Sequence, residues 1–268
     1  MNGVLDVIEN GYAVFIVENL SDEMKSKLRA YLSFICNGNA KAEKDIAIYN
    51  YKNTLKAFCA RYDDKVEDQK IGQIGELLIN FFIREYFSDA LEVCSPFFNI
   101  EERGPKKGFD IILTKKDSSE IWFTEVKSGL KNATESEDDK INTLINRAKA
   151  DLYTRISEED PDATIWRNAI SSASLSISNR NVQKEDIVSI LENLAGDSIE
   201  NPVELTDLNV VLAGTLFSDT RHQLSKDKIE AKYLKLSKDY FKQVYVIACQ
   251  KSTYEAISAF LHGEAESV

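Results

Sequence analysis

The chain alternates between segments with helical and with strand-like hydrophobic patterns. Between residues 66 and 87, apolar side chains recur at spacings of three and four, which predicts one amphipathic helix with a charged end. Further helices are predicted over residues 21–36, 140–155, 226–241 and 252–261, and helical segments continue to about residue 194. Apolar runs that predict strands have the sequences GYAVFIVEN, ALEVC, FFNIE, FDIILT, EIWFTEVK, LNVVLAGTLF and KQVYVIAC. The order of these segments predicts an α/β fold with a central mixed sheet flanked by helices.

The pattern also predicts two units along the chain. Residues 1–65 are predicted to form an N-terminal α/β accessory lobe, and residues 66–268 the main domain. In the lobe, the strand in GYAVFIVEN is followed by Ser21, which is placed to cap the next helix. That helix should end at the turn signal around Gly38.

The composition is that of an acidic protein, with 44 Asp and Glu against 33 Lys and Arg and a net charge of −11. Affinity for a DNA duplex depends largely on Lys and Arg, so such a chain should bind DNA only through a local basic patch, a bound metal ion or a partner. The four cysteines are scattered singly, without the spacing of a zinc site or a disulfide framework. No basic secretory signal and no apolar run of roughly 20 residues is seen. These features predict a cytoplasmic protein without a membrane segment.

Three charged residues fall in or beside two neighbouring predicted strands, where such side chains are unfavourable. Residues two apart in a strand share a face, so Glu125 and Lys127 should point the same way. The polar segment TKKDSSE predicts a turn that makes FDIILT and EIWFTEVK antiparallel neighbours. Asp110 then comes near Glu125, because both lie away from the turn. Two carboxylates and an ammonium make an oxygen-rich site suited to Mg²⁺ or Mn²⁺, where the lysine can orient a water or neutralise developing charge.

The sequence GFD at residues 108–110, followed by EVK at residues 125–127, resembles the active-site signature of the PD-(D/E)xK nuclease superfamily. Phenylalanine stands where the motif name has proline. Members often carry a further glutamate on a helix before the first motif strand, and Glu76 in the sequence IGEL matches that placement. The resemblance implies a restriction-endonuclease-like core that hydrolyses DNA with Mg²⁺ or Mn²⁺. The residues it implies as catalytic are Glu76, Asp110, Glu125 and Lys127, and the three acids would bind the metal.

A second resemblance covers more of the chain. The length, the N-terminal lobe, the GFD…EVKSG core and the late strands LAGTLF and VYVIACQKS are similar to the HamA-type nuclease subunit of Hachiman-like bacterial anti-phage defence. This resemblance implies a helicase subunit as partner. The helicase would supply much of the DNA binding that an acidic chain lacks.

Other interpretations of the same residues stay open. Acids and lysines on strands are often solvated edge residues, and a glutamate on an amphipathic helix, such as Glu76, is ordinarily a surface residue. Lys140, Arg147 and Arg155 share a helix face with Asp151 among them, for which intrahelical salt bridges are the expected explanation. The alternative function is a catalytically inactive, nuclease-derived module that binds nucleic acid or the helicase. An unrelated α/β interaction protein would leave the acid–acid–lysine set unexplained.

Overall fold

The computed structural model describes residues 1–98, 108–157, 162–178, 181, 183–201 and 203–267. The strands are β1 (Val4–Glu9), β2 (Tyr12–Val17), β3 (Leu91–Val93), β4 (Ile111–Lys115), β5 (Ile121–Leu130), β6 (Asn209–Phe217) and β7 (Gln243–Lys251). The helices are α1 (Asp22–Asn37), α2 (Asn39–Ala42), α3 (Tyr51–Asp63), α4 (Glu67–Tyr86), α5 (Glu137–Ser157), α6 (Thr164–Ser176), α7 (Lys184–Glu200), α8 (Lys226–Leu236) and α9 (Glu255–Ser267). Single 3₁₀ turns lie at Ala47–Tyr49 and Leu205–Asp207.

A mixed sheet of seven strands lies at the centre of the described part of the chain, in the order β1-β2-β7-β6-β5-β4-β3. The strands β2, β7, β6 and β5 run parallel to one another. The pairs β1–β2, β5–β4 and β4–β3 are antiparallel. β6 is buried along its whole length, which explains its continuous apolar run, because helices cover both faces of a parallel sheet. The predicted α/β fold with a mixed sheet flanked by helices is confirmed.

The two faces of the sheet carry different helices. Face A, which includes Val126 of β5, packs against α1, α3, α4 and α9. Face B, which includes Phe123 of β5, packs against α5, α6, α7 and α8. Because side chains alternate along a strand, Glu125 lies on face B together with Phe123. None of the helices within the described ranges combines the length and the apolar character needed to cross a membrane.

The N-terminal strands belong to the same sheet as the rest of the chain. β2 pairs in parallel with β7, which lies near the other end of the sequence. Ser21 caps α1 as predicted, since its hydroxyl accepts a hydrogen bond from the backbone N–H of Met24 at 3.2 Å. The helix ends at Gly38, whose φ of 79° lies in the left-handed region that favours glycine. A domain boundary between residues 65 and 66 stays a prediction, and the sheet is continuous across it.

Several predicted elements differ from the structure. The FFNIE strand is wrong where the chain is described, because the backbone N–H of Phe97 donates to the carbonyl of Ile35 in α1 at 2.9 Å. Tertiary contact with α1 therefore overrides the local strand propensity, and residues 99–101 lie outside the described residues. The helix predicted over residues 226–241 ends at Leu236.

Gly75 marks a close approach of α4 to the sheet. A Cβ atom at this position would lie 1.8 Å from Oγ and 2.7 Å from Cβ of Ser128, and 3.1 Å from Cβ of Thr215. A Cβ at Gly72, one turn earlier, would meet nothing within 4 Å. Glycine inside a helix costs up to about 1 kcal/mol relative to alanine. At Gly75 this cost is offset because only glycine lets α4 lie so close to β5 and β6.

Gly75→Ala is expected to lower the free energy of unfolding by about 1–3 kcal/mol, because the added methyl group overpacks the contact with Ser128. Gly72→Ala, on the same helix, is the matched control and should raise the free energy of unfolding by up to about 1 kcal/mol. Urea denaturation of both variants measures the difference. A Gly75→Ala protein as stable as Gly72→Ala would contradict the close approach.

Candidate active site

Asp110, Glu125 and Lys127 come together on face B, as the strand alternation predicts. β4 and β5 are antiparallel, and their register places Asp110 beside Glu125. One oxygen of Asp110, Oδ2, accepts a hydrogen bond from the backbone N–H of Val126 at 2.8 Å. This bond holds the carboxylate of Asp110 against β5, next to the carboxylate of Glu125.

Glu125 is a fully buried carboxylate whose two oxygens differ in their contacts. Oε1 accepts a hydrogen bond from Nζ of Lys127 at 2.7 Å and forms an ion pair with Arg155. Oε2 is buried and has no hydrogen-bond partner among the described residues. A buried oxygen without a partner is costly, and native structures contain few of them. Oε2 is therefore the atom of this site best suited to bind a cation.

Burial and neighbouring charge shift the pKa values of the site in functionally relevant directions. The pKa of Glu125 is raised to about 8, first by burial and then by the charge of Asp110, while Arg155 and Lys127 oppose the rise. Burial lowers the pKa of Lys127, but the charge of Glu125 and the hydrogen bond to Asp151 outweigh burial, so this pKa is raised overall. The lysine therefore stays charged at neutral pH. Shifts that arise from burial together with specific charged partners are typical of functional sites.

Two residues of α5 complete the cluster, and the sequence does not reveal either of them as a site residue. Oδ2 of Asp151 accepts from Nζ of Lys127 at 2.8 Å. Arg155 donates through NH1 to the carbonyl of Gly108 at 2.7 Å and also pairs with Glu125. The expected intrahelical salt bridges are therefore wrong for Asp151 and Arg155, since both side chains reach off the helix. The one hint in the sequence is their i, i+4 spacing, which puts Asp151 and Arg155 on the same side of α5.

Glu76, the fourth predicted catalytic residue, lies on the other side of the sheet. It is half-buried on α4 directly after Gly75, and α4 packs on face A. Asp110, Glu125 and Lys127 lie on face B. Within the ranges that the structure describes, no three His, Cys, Asp or Glu side chains form a group that could hold a metal ion. The role of Glu76 as a third metal ligand stays a prediction.

The pair of carboxylates nevertheless fits Mg²⁺ or Mn²⁺. Mg²⁺ keeps several of its waters and commonly binds through one or two carboxylates together with substrate phosphates, without a closed cage of protein ligands. Asp110 and Oε2 of Glu125 offer the hard oxygen atoms that such ions prefer. Because Lys127 and Arg155 both contact Oε1, Oε2 remains available for a cation.

Arg155→Gln is expected to lower the free energy of unfolding of the metal-free protein by about 1–3 kcal/mol, because a fully buried carboxylate loses one of its two cations. Arg147→Gln, at an exposed position of the same helix, makes the same charge change and should cost less than about 0.5 kcal/mol. Urea denaturation compares them with a chelator present and at a pH above 8, where Glu125 carries its charge. Equal losses of unfolding free energy in the two variants would show that the contact between Arg155 and Glu125 contributes nothing to stability.

Comparison with known families gives a match. The model of the HamA family matches residues 6–263, which is nearly the whole chain and includes almost all of the sheet and the residues of the site. A search of curated proteins finds no match. Membership of the PD-(D/E)xK superfamily stays a prediction from the motif.

Proposed function

The chain belongs to the HamA family, and on this premise we propose that it is a metal-dependent nuclease that hydrolyses DNA. Family membership supports its involvement in Hachiman-type anti-phage defence. The observation that carries the nuclease assignment is Oε2 of Glu125, a buried carboxylate oxygen without a partner, next to Asp110. A purely structural acid at this depth would be expected to have both oxygens paired.

Asp110 and Glu125 would hold the Mg²⁺ or Mn²⁺ ion, which when bound acts as a Lewis acid on the phosphodiester and lowers the pKa of a water. Lys127 is fixed from two sides, by Oε1 of Glu125 at 2.7 Å and Oδ2 of Asp151 at 2.8 Å. From this position its ammonium can orient the attacking water and offset the charge that develops on the phosphate. Arg155 contacts both Glu125 and the carbonyl of Gly108. It therefore links the middle of β5 to the segment that precedes β4.

Three aromatic residues lie behind the charged cluster and exclude water from that side. The ring centroids of Phe109 and Phe123 are 4.3 Å apart, and those of Phe123 and Trp166 are 5.5 Å apart. Phe109 precedes Asp110, and Phe123 lies two residues before Glu125 on the same face. Charges in a site shielded from water interact more strongly than in solvent, which favours fixed donors and acceptors that stabilise a transition state.

The proposed partners are those that the resemblance to the HamA-type nuclease subunit implies, and the charge of the chain is consistent with them. DNA is the proposed substrate, and a helicase subunit is the proposed partner. A chain of net charge −11 repels a polyanion over most of its surface, so a partner that grips DNA would bring the substrate to the site.

The test is incubation of purified protein with plasmid and linear DNA, with and without Mg²⁺ and with and without a candidate helicase. We expect cleavage only when Mg²⁺ is present, faster with the helicase, and stopped by a chelator. Binding to DNA or to the helicase without cleavage under every condition would favour the inactive module instead.

A further inference from the structure

Three lysines meet where α5 and α8 pack together on face B. Lys149 comes from α5, and Lys232 and Lys235 come from α8; we call this group the lysine patch. The ammonium of Lys232 donates a hydrogen bond to the side-chain carbonyl of Asn146 on α5. The ammonium of Lys149 lies 3.1 Å from the ring centre of Tyr240. Two of the three lysines, Lys149 and Lys232, are therefore held by contacts of their ammonium groups.

Within the described ranges, the lysines of the patch lack the counter-charges that some other lysines of this acidic chain have. Lys131 and Lys140 pair with glutamates at 3.0 and 3.1 Å. In the part of the chain that the structure describes, no ion pair with an acid is formed by any lysine of the patch. The patch therefore places three positive charges together without an acid of the described residues paired to any of them.

The like charges of the patch repel one another, which makes the charged form of each lysine less favourable. The pKa of Lys232 is lowered to about 8, first by burial and then by the neighbouring charges of Lys235 and Lys149. Burial and Lys235 likewise lower the pKa of Lys149. Repulsion of this kind disfavours the charged form of each group, and an anion bound among them would relieve it. The chemistry therefore suits a ligand with several negative charges.

The patch and the candidate active site lie on opposite flanks of α5. Asp151 and Arg155 reach β5 from one flank, whereas Lys149 faces α8. Residues two apart on a helix are rotated by about 200°, so Lys149 and Asp151 necessarily point in opposite directions. An α-helix with its side chains is about 10–12 Å across, a distance that a few nucleotides span. A strand that crosses the exposed face of α5 can therefore contact the patch and the site at once.

Exposed aromatic residues accompany the lysines. Tyr153, one helical turn after Lys149 and so on the same flank of α5, is 59% exposed, and Tyr240 is 41% exposed. Exposed rings beside lysines are a recurring arrangement in proteins that bind single strands, where each stacked base contributes about 1–3 kcal/mol.

We propose that the lysine patch binds the phosphate backbone of a DNA strand whose continuation enters the candidate active site. The identity of the ligand as DNA rests on the proposed nuclease function. The binding itself needs no cleavage, and it can be measured separately. A small basic surface against a background of net charge −11 should bind weakly and with a steep dependence on salt.

The experiment measures binding of a labelled single strand and of the duplex of the same sequence to the full-length protein, by fluorescence anisotropy over a series of salt concentrations with a chelator present. The patch variant is Lys149→Ala/Lys235→Ala. Lys232 is left unchanged because it bonds to Asn146. The control variant is Lys52→Ala/Lys56→Ala, two exposed lysines of α3, which packs on face A. Both variants lower the net charge by two, and thermal unfolding checks that both are folded.

The patch variant should bind about tenfold more weakly at moderate salt. The slope of log affinity against log salt concentration should become shallower by about 2, since two phosphate contacts are lost. The control should keep the wild-type slope. A loss of the patch variant's affinity for both DNA forms, or for the single strand alone, supports the proposal. Equal slopes in the two variants, or no binding of either DNA form by the wild type, would overturn it. A protein that binds through the patch but never cuts would overturn only the nuclease proposal.

Discussion

Glu125→Gln should abolish metal-dependent DNA cleavage while making the metal-free protein more stable. Glutamine keeps the size of the side chain and an oxygen for Lys127 and Arg155, but it removes the charge that a metal ion requires. Loss of one of the two carboxylates proposed to hold the ion should slow cleavage by about 10³-fold or more, since metal ions contribute several kcal/mol to such transition states. Cleavage of plasmid DNA, with Mg²⁺ and a candidate helicase in excess, measures the loss.

The gain in stability should depend on pH. Burial raises the pKa of Glu125 from its ordinary value of 4.5 to about 8 in the folded, metal-free protein. The folded protein then keeps a proton that the unfolded chain releases, so the free energy of unfolding falls as the pH rises between these two values and levels off above the second. Glu125→Gln removes this dependence. The stability of the variant relative to the wild type should therefore grow from pH 5 to about pH 8, as followed by urea denaturation in a chelator.

Glu192→Gln is the control, because Glu192 is an exposed residue of α7 and makes the same chemical change. It should leave both cleavage and the pH dependence of stability as in the wild type. Wild-type cleavage by folded Glu125→Gln protein would refute the catalytic assignment. Another outcome is a variant that loses cleavage and yet is no more stable than the wild type at pH 8. That result would show that burial of the Glu125 carboxylate does not destabilise the metal-free protein.

Lys127→Ala should slow cleavage by about 10²- to 10³-fold while metal binding survives. An ammonium cannot ligate a cation, so its loss removes stabilisation of the transition state without removing a ligand. Glu125 keeps Arg155 as a counter-charge in this variant. Affinity for Mn²⁺ should stay the same or rise, because a nearby positive charge opposes the ion. Lys131→Ala, just beyond β5, is the matched control and should cleave as the wild type does.

Calorimetric titration of Mn²⁺ separates the roles of the charged residues. Asp110→Ala should lose most of the metal affinity, and Lys127→Ala should keep it. The same titration on Glu76→Ala tests the predicted third ligand, whose helix packs on the opposite face of the sheet. If Lys127→Ala loses the ion as completely as Asp110→Ala, the lysine organises the site and has no separate catalytic role.

Local pattern in the sequence determined the α/β class, the antiparallel pairing of β4 with β5 and the shared face of Glu125 and Lys127. These features follow from short-range rules. Side chains alternate along a strand, a polar turn between two apolar runs favours a hairpin, and a capping serine starts a helix. The same rules brought Asp110 to Glu125, because a hairpin leaves little choice of register when one face must be buried.

Only the tertiary structure decided which parts of the protein the side chains of α5 contact. Asp151 and Arg155 are unremarkable on the helix, and their partners on β5 exist because α5 packs over that strand. Similarly, Lys149 becomes part of a patch only because α8, nearly eighty residues later, lies beside α5. The insertion of β6 and β7 between β2 and β5 is equally non-local. Periodicity shows which face of an element is apolar, but which apolar faces meet depends on how the whole core is packed.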